Sequence, residues 1–143
     1  MLRINASLTI AFALLFSAIS CTGLKVEDQK YYSSRLYPLP YERVFNAVHY
    51  RVAEYPMGMG EADQTMGIVQ SRIGRAAPGR GSSVGYQITV AVSQQGNRTR
   101  VTPDWQMNVS SEPTKPQLRP ISIDERPLLY KEFFDELDKY FQN

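Results

Sequence analysis

The amino-acid sequence predicts an α+β fold, in which an antiparallel sheet of four to five strands carries two helices on one face. Three observations predict it. Two segments place apolar residues at helical spacing, and the stretch between them alternates apolar and polar residues with a period of two. A Gln-Gln-Gly-Asn turn divides that alternating stretch. The expected order is β-α-β-β-β(-β)-α, a single two-layer domain.

The first twenty residues have the pattern of a secretory signal peptide. Arg3 is their only charge, and the apolar stretch from Leu8 to Ile19 is followed at once by polar residues. A transmembrane helix needs about 20 apolar residues, so this segment is too short to span a bilayer. The prediction is a signal peptide over residues 1–20, which is excluded from the fold.

Cys21 is the only cysteine, and it follows Ala18, Ile19 and Ser20 at the end of this segment. The arrangement resembles the lipobox of bacterial lipoproteins, where signal peptidase II cuts. The resemblance implies diacylglycerol on the Cys21 thiol and an acyl chain such as palmitate on the freed amine. Two or three acyl chains make a stable membrane anchor. In lipoproteins of this kind, an aspartate directly after the cysteine favours retention in the inner membrane. This chain has Thr22 there, so the resemblance favours the outer membrane, facing the periplasm.

The alternative interpretation is an ordinary secretory signal followed by a coincidental cysteine. In both cases the mature chain is close to neutral, because the whole chain has a net charge of +2 and Arg3 is the only charged residue removed. A near-neutral balance argues against nucleic acid as a partner. With Cys21 committed to lipid, the domain has no disulfide and depends on its packing alone.

The mature chain divides into a tether over residues 21–29 and one domain over residues 30–143. The tyrosine- and serine-rich stretch Lys30 to Tyr37 predicts a first strand, which Pro38 and Pro40 end. A helix follows from Tyr41 to Pro56, since its apolar residues recur at helical spacing. These are Tyr41, Val44, Phe45, Val48, Val52 and Tyr55.

The middle of the chain predicts a meander of strands. Met66 to Ile73 is rich in β-forming residues, and a weaker strand is expected at Met57 to Ala62. The clearest alternation runs from Val84 to Ser93, and a return strand runs from Thr99 to Val109. Pro103 interrupts that return strand, which indicates an edge position or a bulge there.

The C-terminal part predicts a proline-rich connector, Ser111 to Pro120, and then a helix from Pro127 to Phe141. One face of this helix is apolar and the opposite face is charged. The apolar residues are Tyr130, Phe133, Phe134, Leu137 and Phe141. Both helices are therefore expected to cover the same face of the sheet.

A stretch of about 40 residues from Tyr37 to Gly74 carries a second resemblance. Val-Phe-x-Ala on a helix is followed by a strand, an Asp-x-x-x-Gly turn from Asp63 to Gly67, and Ile68-Val69. The stretch is similar to the helix-grip domains of the C subunit lipoprotein of the outer-membrane β-barrel assembly machinery. The resemblance implies a helix-grip-like fold and a place in the envelope.

The candidate site residues other than Cys21 are three arginines, Arg72, Arg75 and Arg80, in a glycine-rich segment. Arginine forks suit an anionic partner such as lipid headgroups, lipopolysaccharide phosphates or an acidic protein surface. The alternative is a solvated loop. His49 is the only histidine, so a zinc site is not expected, and the sequence predicts no catalytic residue, metal or other cofactor.

Two functions remain ahead of an enzyme. One is an accessory interaction module of an envelope protein complex, and the other is a carrier of a small apolar ligand in a pocket between sheet and helix. A filled core would favour the interaction module. An apolar hollow of several hundred cubic ångströms would favour the carrier.

Overall fold

The computed structural model describes residues 26–74, 85–110, 112 and 114–142. In this part of the chain, three helices and six strands form an α+β domain, which confirms the predicted class. The helices are α1 (Val26–Ser33), α2 (Tyr41–Ala53) and α3 (Pro127–Lys139). The strands are β1 (Arg35–Tyr37), β2 (Met59–Asp63), β3 (Ile68–Ser71), β4 (Gly85–Gln95), β5 (Arg98–Asn108) and β6 (Leu118–Ile121).

The sheet is antiparallel throughout and follows the order β1-β5-β4-β3-β2. Strands β4 and β5 are its longest pair, with register from Gly85 opposite Asn108 to Gln95 opposite Arg98. Gly96 follows β4 with a φ of 60°, a conformation that side-chain-bearing residues rarely adopt and that a two-residue hairpin turn requires. The predicted hairpin and its turn are both confirmed.

Pro103 lies in a stretch of β5 that pairs with β4 on one side and has no described strand on the other side. Strand β1 pairs with β5 as far as Val101, and β6 begins its pairing at Trp105. Proline has no backbone N–H and cannot donate to a second neighbouring strand. The sequence prediction of an edge position at Pro103 is confirmed, although the rest of β5 is central in the sheet.

Helices α2 and α3 cover the same face of the sheet, as predicted. Helix α2 contacts strands β2 to β5, and α3 contacts both β5 and α2. Side chains from α2, α3 and strands β3 to β5 are fully buried between the two layers, where apolar burial stabilises the fold. They are Val44, Val48, Val52, Val69, Ile88, Val90, Val101, Phe133, Phe134 and Leu137.

The turn between β2 and β3 uses the Asp-x-x-x-Gly spacing seen in the sequence. The Asp63 carboxylate accepts hydrogen bonds from the backbone N–H groups of Thr65 and Met66, at 2.8 and 2.9 Å. Gly67 then takes a φ of 69°, and a Cβ atom at this position would lie 2.1 Å from the Val92 carbonyl oxygen. Only glycine therefore allows β3 to enter the sheet beside β4 at this point.

The prediction of a strand over Lys30 to Tyr37 is wrong in its first half, since α1 runs to Ser33 and β1 has three residues. Helix α1 also begins within the segment expected to be a tether. The reason is tertiary packing, which overrides the β-propensity of the tyrosines. Helix α1 contacts α3, and its Tyr31 ring lies under the Arg35 guanidinium, 4.0 Å from the ring centroid.

The connector predicted for Ser111 to Pro120 contains the start of a strand, and the sheet accordingly has six strands instead of four to five. Strand β6 pairs with β5 from Trp105 to Asn108. A proline such as Pro120 is tolerated in β6 because this strand has only β5 as a described neighbour. The Tyr130 hydroxyl donates to the Ile121 carbonyl at 2.6 Å and so joins β6 to α3.

Phe133→Ala should lower the free energy of unfolding by about 3 to 5 kcal/mol, because it removes a fully buried aromatic ring and leaves a cavity. Chemical denaturation measures this change. The matched control is Leu128→Ala in the same helix, where the side chain is 74% exposed and the change should stay within about 0.5 kcal/mol. Equal effects of the two substitutions would show that α3 is peripheral to the core.

Candidate functional site

The structure describes one of the three candidate arginines. Arg72 follows β3 directly and is exposed. Arg75 and Arg80 lie outside the described residues, as does Cys21, so their predicted roles stay predictions. Arg72 lines the mouth of a cleft that the sequence did not reveal.

The cleft has a volume of about 790 Å³ and opens where the ends of several elements meet. Its walls come from the chain after α2, the chain after β3, the first residues of β4, the middle of β5 and the start of α3. The lining is mainly apolar. It comprises Tyr55, Pro56, Met57, Arg72, Ile73, Gly74, Gly85, Tyr86, Trp105, Leu129 and Glu132.

The first wall is a tight turn after α2. The helix ends at Ala53, and the Tyr55 N–H then donates to the Val52 carbonyl at 3.3 Å. Gly58 donates to the Tyr55 carbonyl at 2.8 Å and has a φ of 72°, which turns the chain back into β2. This turn places the Tyr55 ring edge-to-face with Trp105, with centroids 5.3 Å apart and planes at 81°.

The opposite wall continues the pairing of β3 with β4. The Gly74 N–H donates to the Tyr86 carbonyl at 2.8 Å, so Arg72 to Gly74 stay alongside the start of β4. A Cβ at Gly74 would lie 3.0 Å from Cγ of Met57 and 3.1 Å from the Tyr86 carbonyl oxygen. Glycine therefore lets the two walls approach closely at this point.

Trp105 lies between these walls and is 2% exposed. Its indole N–H has no hydrogen-bond partner in the described part of the chain. A buried donor without an acceptor costs about 1 to 3 kcal/mol, so native proteins usually satisfy it. The Nε atoms of Arg35, Arg51 and Arg100 are likewise buried without a partner among the described residues, and the Trp105 nitrogen itself is not accessible from the cleft.

Charged groups flank the aromatic residues of the cleft. The buried Arg51 guanidinium lies 4.2 Å from the Tyr55 ring centroid, and its nitrogens are 3.5 Å from a Glu54 oxygen and 3.9 Å from a Glu132 oxygen. Burial raises the pKa of Tyr55 to about 12. Arg51 lowers this pKa and Glu132 raises it, both by smaller amounts than burial does. Arg72 forms no ion pair with any described residue.

A second polar cluster was missed in the sequence because its members are far apart in the chain. The Arg35 side chain is 8% exposed, and its Nη1 lies 2.5 Å from an Asp138 carboxylate oxygen. The Tyr37 hydroxyl donates to the other oxygen of Asp138 at 2.8 Å. Burial, together with the Asp138 hydrogen bond, raises the pKa of Tyr37 above its ordinary range. The cluster joins β1 to α3 through an ion pair and a hydrogen bond.

His49 and Asp104 both lie outside the lining of the cleft. Within the described ranges, no group of three or more histidine, cysteine, aspartate or glutamate residues lies close enough to hold a metal ion. His49 is half-buried, with its ring 5.8 Å from that of Tyr50 in an edge contact. Asp104 is exposed and accepts a hydrogen bond from Gln106, on the sheet face opposite to Trp105.

Across the described residues, no helix has the length and apolarity that crossing a membrane requires. No family model matches the chain, and no curated protein is significantly similar to it.

Tyr55→Phe should make the stability of the domain less sensitive to alkali. The pKa of Tyr55 is raised from 10 to about 12, so neutral Tyr55 stabilises the fold fully below pH 10, and this contribution is lost as pH rises towards 12. The substitution should reduce the loss of unfolding free energy between pH 9 and 12 by about 1 to 2 kcal/mol, since one pKa unit is worth about 1.4 kcal/mol.

Urea denaturation at several pH values measures this effect. Tyr50→Phe is the matched control, because the Tyr50 side chain, in the last turns of α2, is 60% exposed, and this variant should behave like the wild type. The same pH dependence in the Tyr55→Phe variant and the wild type would contradict the raised pKa of Tyr55.

Proposed function

We propose that the protein is a lipid-anchored lipoprotein of the cell envelope whose domain binds an apolar ligand in the cleft beside Trp105. The observation that carries the proposal is the cleft itself, with its mainly apolar lining and a volume of about 790 Å³. Pockets for small molecules typically measure about 300 to 1,000 Å³ and combine an apolar lining with a few polar groups. The layer between sheet and helices is filled, so the ligand site of this proposal is the open cleft beside the core and not a hollow within it.

The cellular setting of this proposal comes from the sequence. The twenty-residue signal pattern and the sole cysteine, Cys21, support export and lipidation. A domain held at a membrane surface by acyl chains is in contact with a large supply of apolar and amphipathic molecules. An anchor of this kind would keep the cleft close to its ligands. The proposed location is the outer membrane, on the side that faces the periplasm.

The edge of β2 favours a second candidate, the accessory module of an envelope protein complex. Strand β2 ends the sheet and pairs only with β3 among the described elements. An open edge can accept an extended segment of another protein as an additional strand. This function places the binding surface at the side of the sheet instead of in the cleft.

A brominated acyl chain should quench the fluorescence of the protein if it enters the cleft. Trp105 is the only tryptophan in the chain, so all tryptophan emission reports on this site. Bromine quenches indole only at close contact. We expect saturable quenching of Trp105 by dibromostearate added below its micellar concentration, measured by fluorescence titration of the soluble domain.

Two neighbouring leucines provide the matched variants for this titration. Leu129 is half-buried and lines the cleft, whereas Leu128 is 74% exposed and does not. Leu129→Gln should weaken binding several-fold because it puts a polar amide into the apolar wall. Leu128→Gln should bind as the wild type does. Absence of saturable quenching, or equal weakening by both variants, would contradict ligand binding in the cleft.

Cys21→Ser should release the protein from membranes. Serine cannot form the thioether to diacylglycerol, so the variant has no lipid anchor. Fractionation of cells after a carbonate wash should find the wild type with the membranes and the Cys21→Ser variant in the soluble periplasmic fraction. A variant that stays with the membranes would contradict the lipoprotein proposal, independently of the result for the cleft.

A further inference from the structure

The charged side chains around the cleft differ in whether they have an ion-pair partner within the protein. Arg51 has two carboxylates nearby, Glu54 at 3.5 Å and Glu132 at 3.9 Å. Glu132 is thereby partly neutralised, although it also lines the cleft. Arg72 has no carboxylate partner within the described residues, and it is exposed at the mouth. Arg72 therefore presents a positive charge to the cleft that no described carboxylate pairs with.

The other polar side chains in the lining are Glu132, which lies beside Arg51, and the tyrosines Tyr55 and Tyr86. The backbone N–H of Gly74 is already used in the bond to Tyr86. The Trp105 nitrogen is buried and is not accessible from the cleft, so it offers no donor to a ligand. Arg72 is therefore the lining cation that an anionic group of a ligand can pair with.

We infer that the ligand is an anionic amphiphile, with an apolar chain against Leu129, Met57 and Ile73 and a carboxylate or phosphate head near Arg72. This inference rests on the proposed function. The apolar lining accommodates the chain, and arginine is the side chain best suited to pair with a carboxylate or a phosphate. A neutral apolar molecule would leave the Arg72 charge without a partner.

The head group makes the inference testable separately from the proposed function. Trp105 fluorescence titrations compare brominated dodecanoate with brominated dodecanol, which has the same chain and no charge. At low salt the acid should bind about two- to fivefold more tightly than the alcohol, the range expected for an exposed ion pair. The preference should largely disappear in 0.5 M salt, because exposed charges are screened there.

Arg72→Gln should abolish the preference for the acid over the alcohol. The matched control is Arg98→Gln, which makes the same change of charge at an exposed position in the β4–β5 hairpin, outside the lining of the cleft. Both variants are exposed substitutions, so their denaturation midpoints should match that of the wild type. The Arg98→Gln variant should retain the full preference.

The outcomes distinguish failure of the anionic head group from failure of the cleft as a binding site. Equal binding of acid and alcohol to the wild type, or equal effects of Arg72→Gln and Arg98→Gln, would overturn the anionic head group and leave the apolar cleft standing. Quenching by neither compound would overturn the cleft as a binding site and the inference with it. A brominated lysophosphatidic acid distinguishes the sources: tighter binding than the carboxylate supports a phospholipid headgroup, and weaker binding supports a free fatty acid.

Discussion

The register between β4 and β5 is the constraint on which the rest of the structure depends. In this register Ile88 stands opposite Trp105 and Val90 opposite Pro103, and these side chains point to the face that α2 and α3 cover. A slip of one residue would turn all of them to the opposite face. The Gly96 turn fixes the register at one end. Both the core and the position of Trp105 in the cleft follow from it.

The elements in which buried residues recur at regular spacing were predictable from the sequence, and those without such regular spacing were not. Helices α2 and α3 and the β4–β5 hairpin have buried faces that recur regularly along the sequence, and all were predicted within a few residues. In β6 three of the four residues are exposed, so the strand has no alternating pattern. Helix α1 is polar and rich in tyrosine, and its conformation depends on contact with α3, nearly 100 residues away.

The candidate site was less predictable, because a cleft is a property of segments brought together by the fold. Tyr55 and Met57 resemble core residues in the sequence, and their lining role arises only when β5 and α3 lie opposite them. The arginine-rich segment did point to this region through Arg72. The buried arginines, Arg35 and Arg51, could not be recognised, since charged residues are ordinarily exposed and their acidic partners on α3 are distant in sequence.

The Arg35 cluster has a mechanical consequence. Its guanidinium lies between the rings of Tyr31 in α1 and Phe134 in α3, and it pairs with Asp138. In a lipid-anchored protein, tension enters the domain through the segment before α1. Strand β1 has only three residues to resist it by pairing with β5. Because Arg35 also contacts α3, a pull on the N-terminal end of the domain is shared between the edge of the sheet and the helix packed on its core.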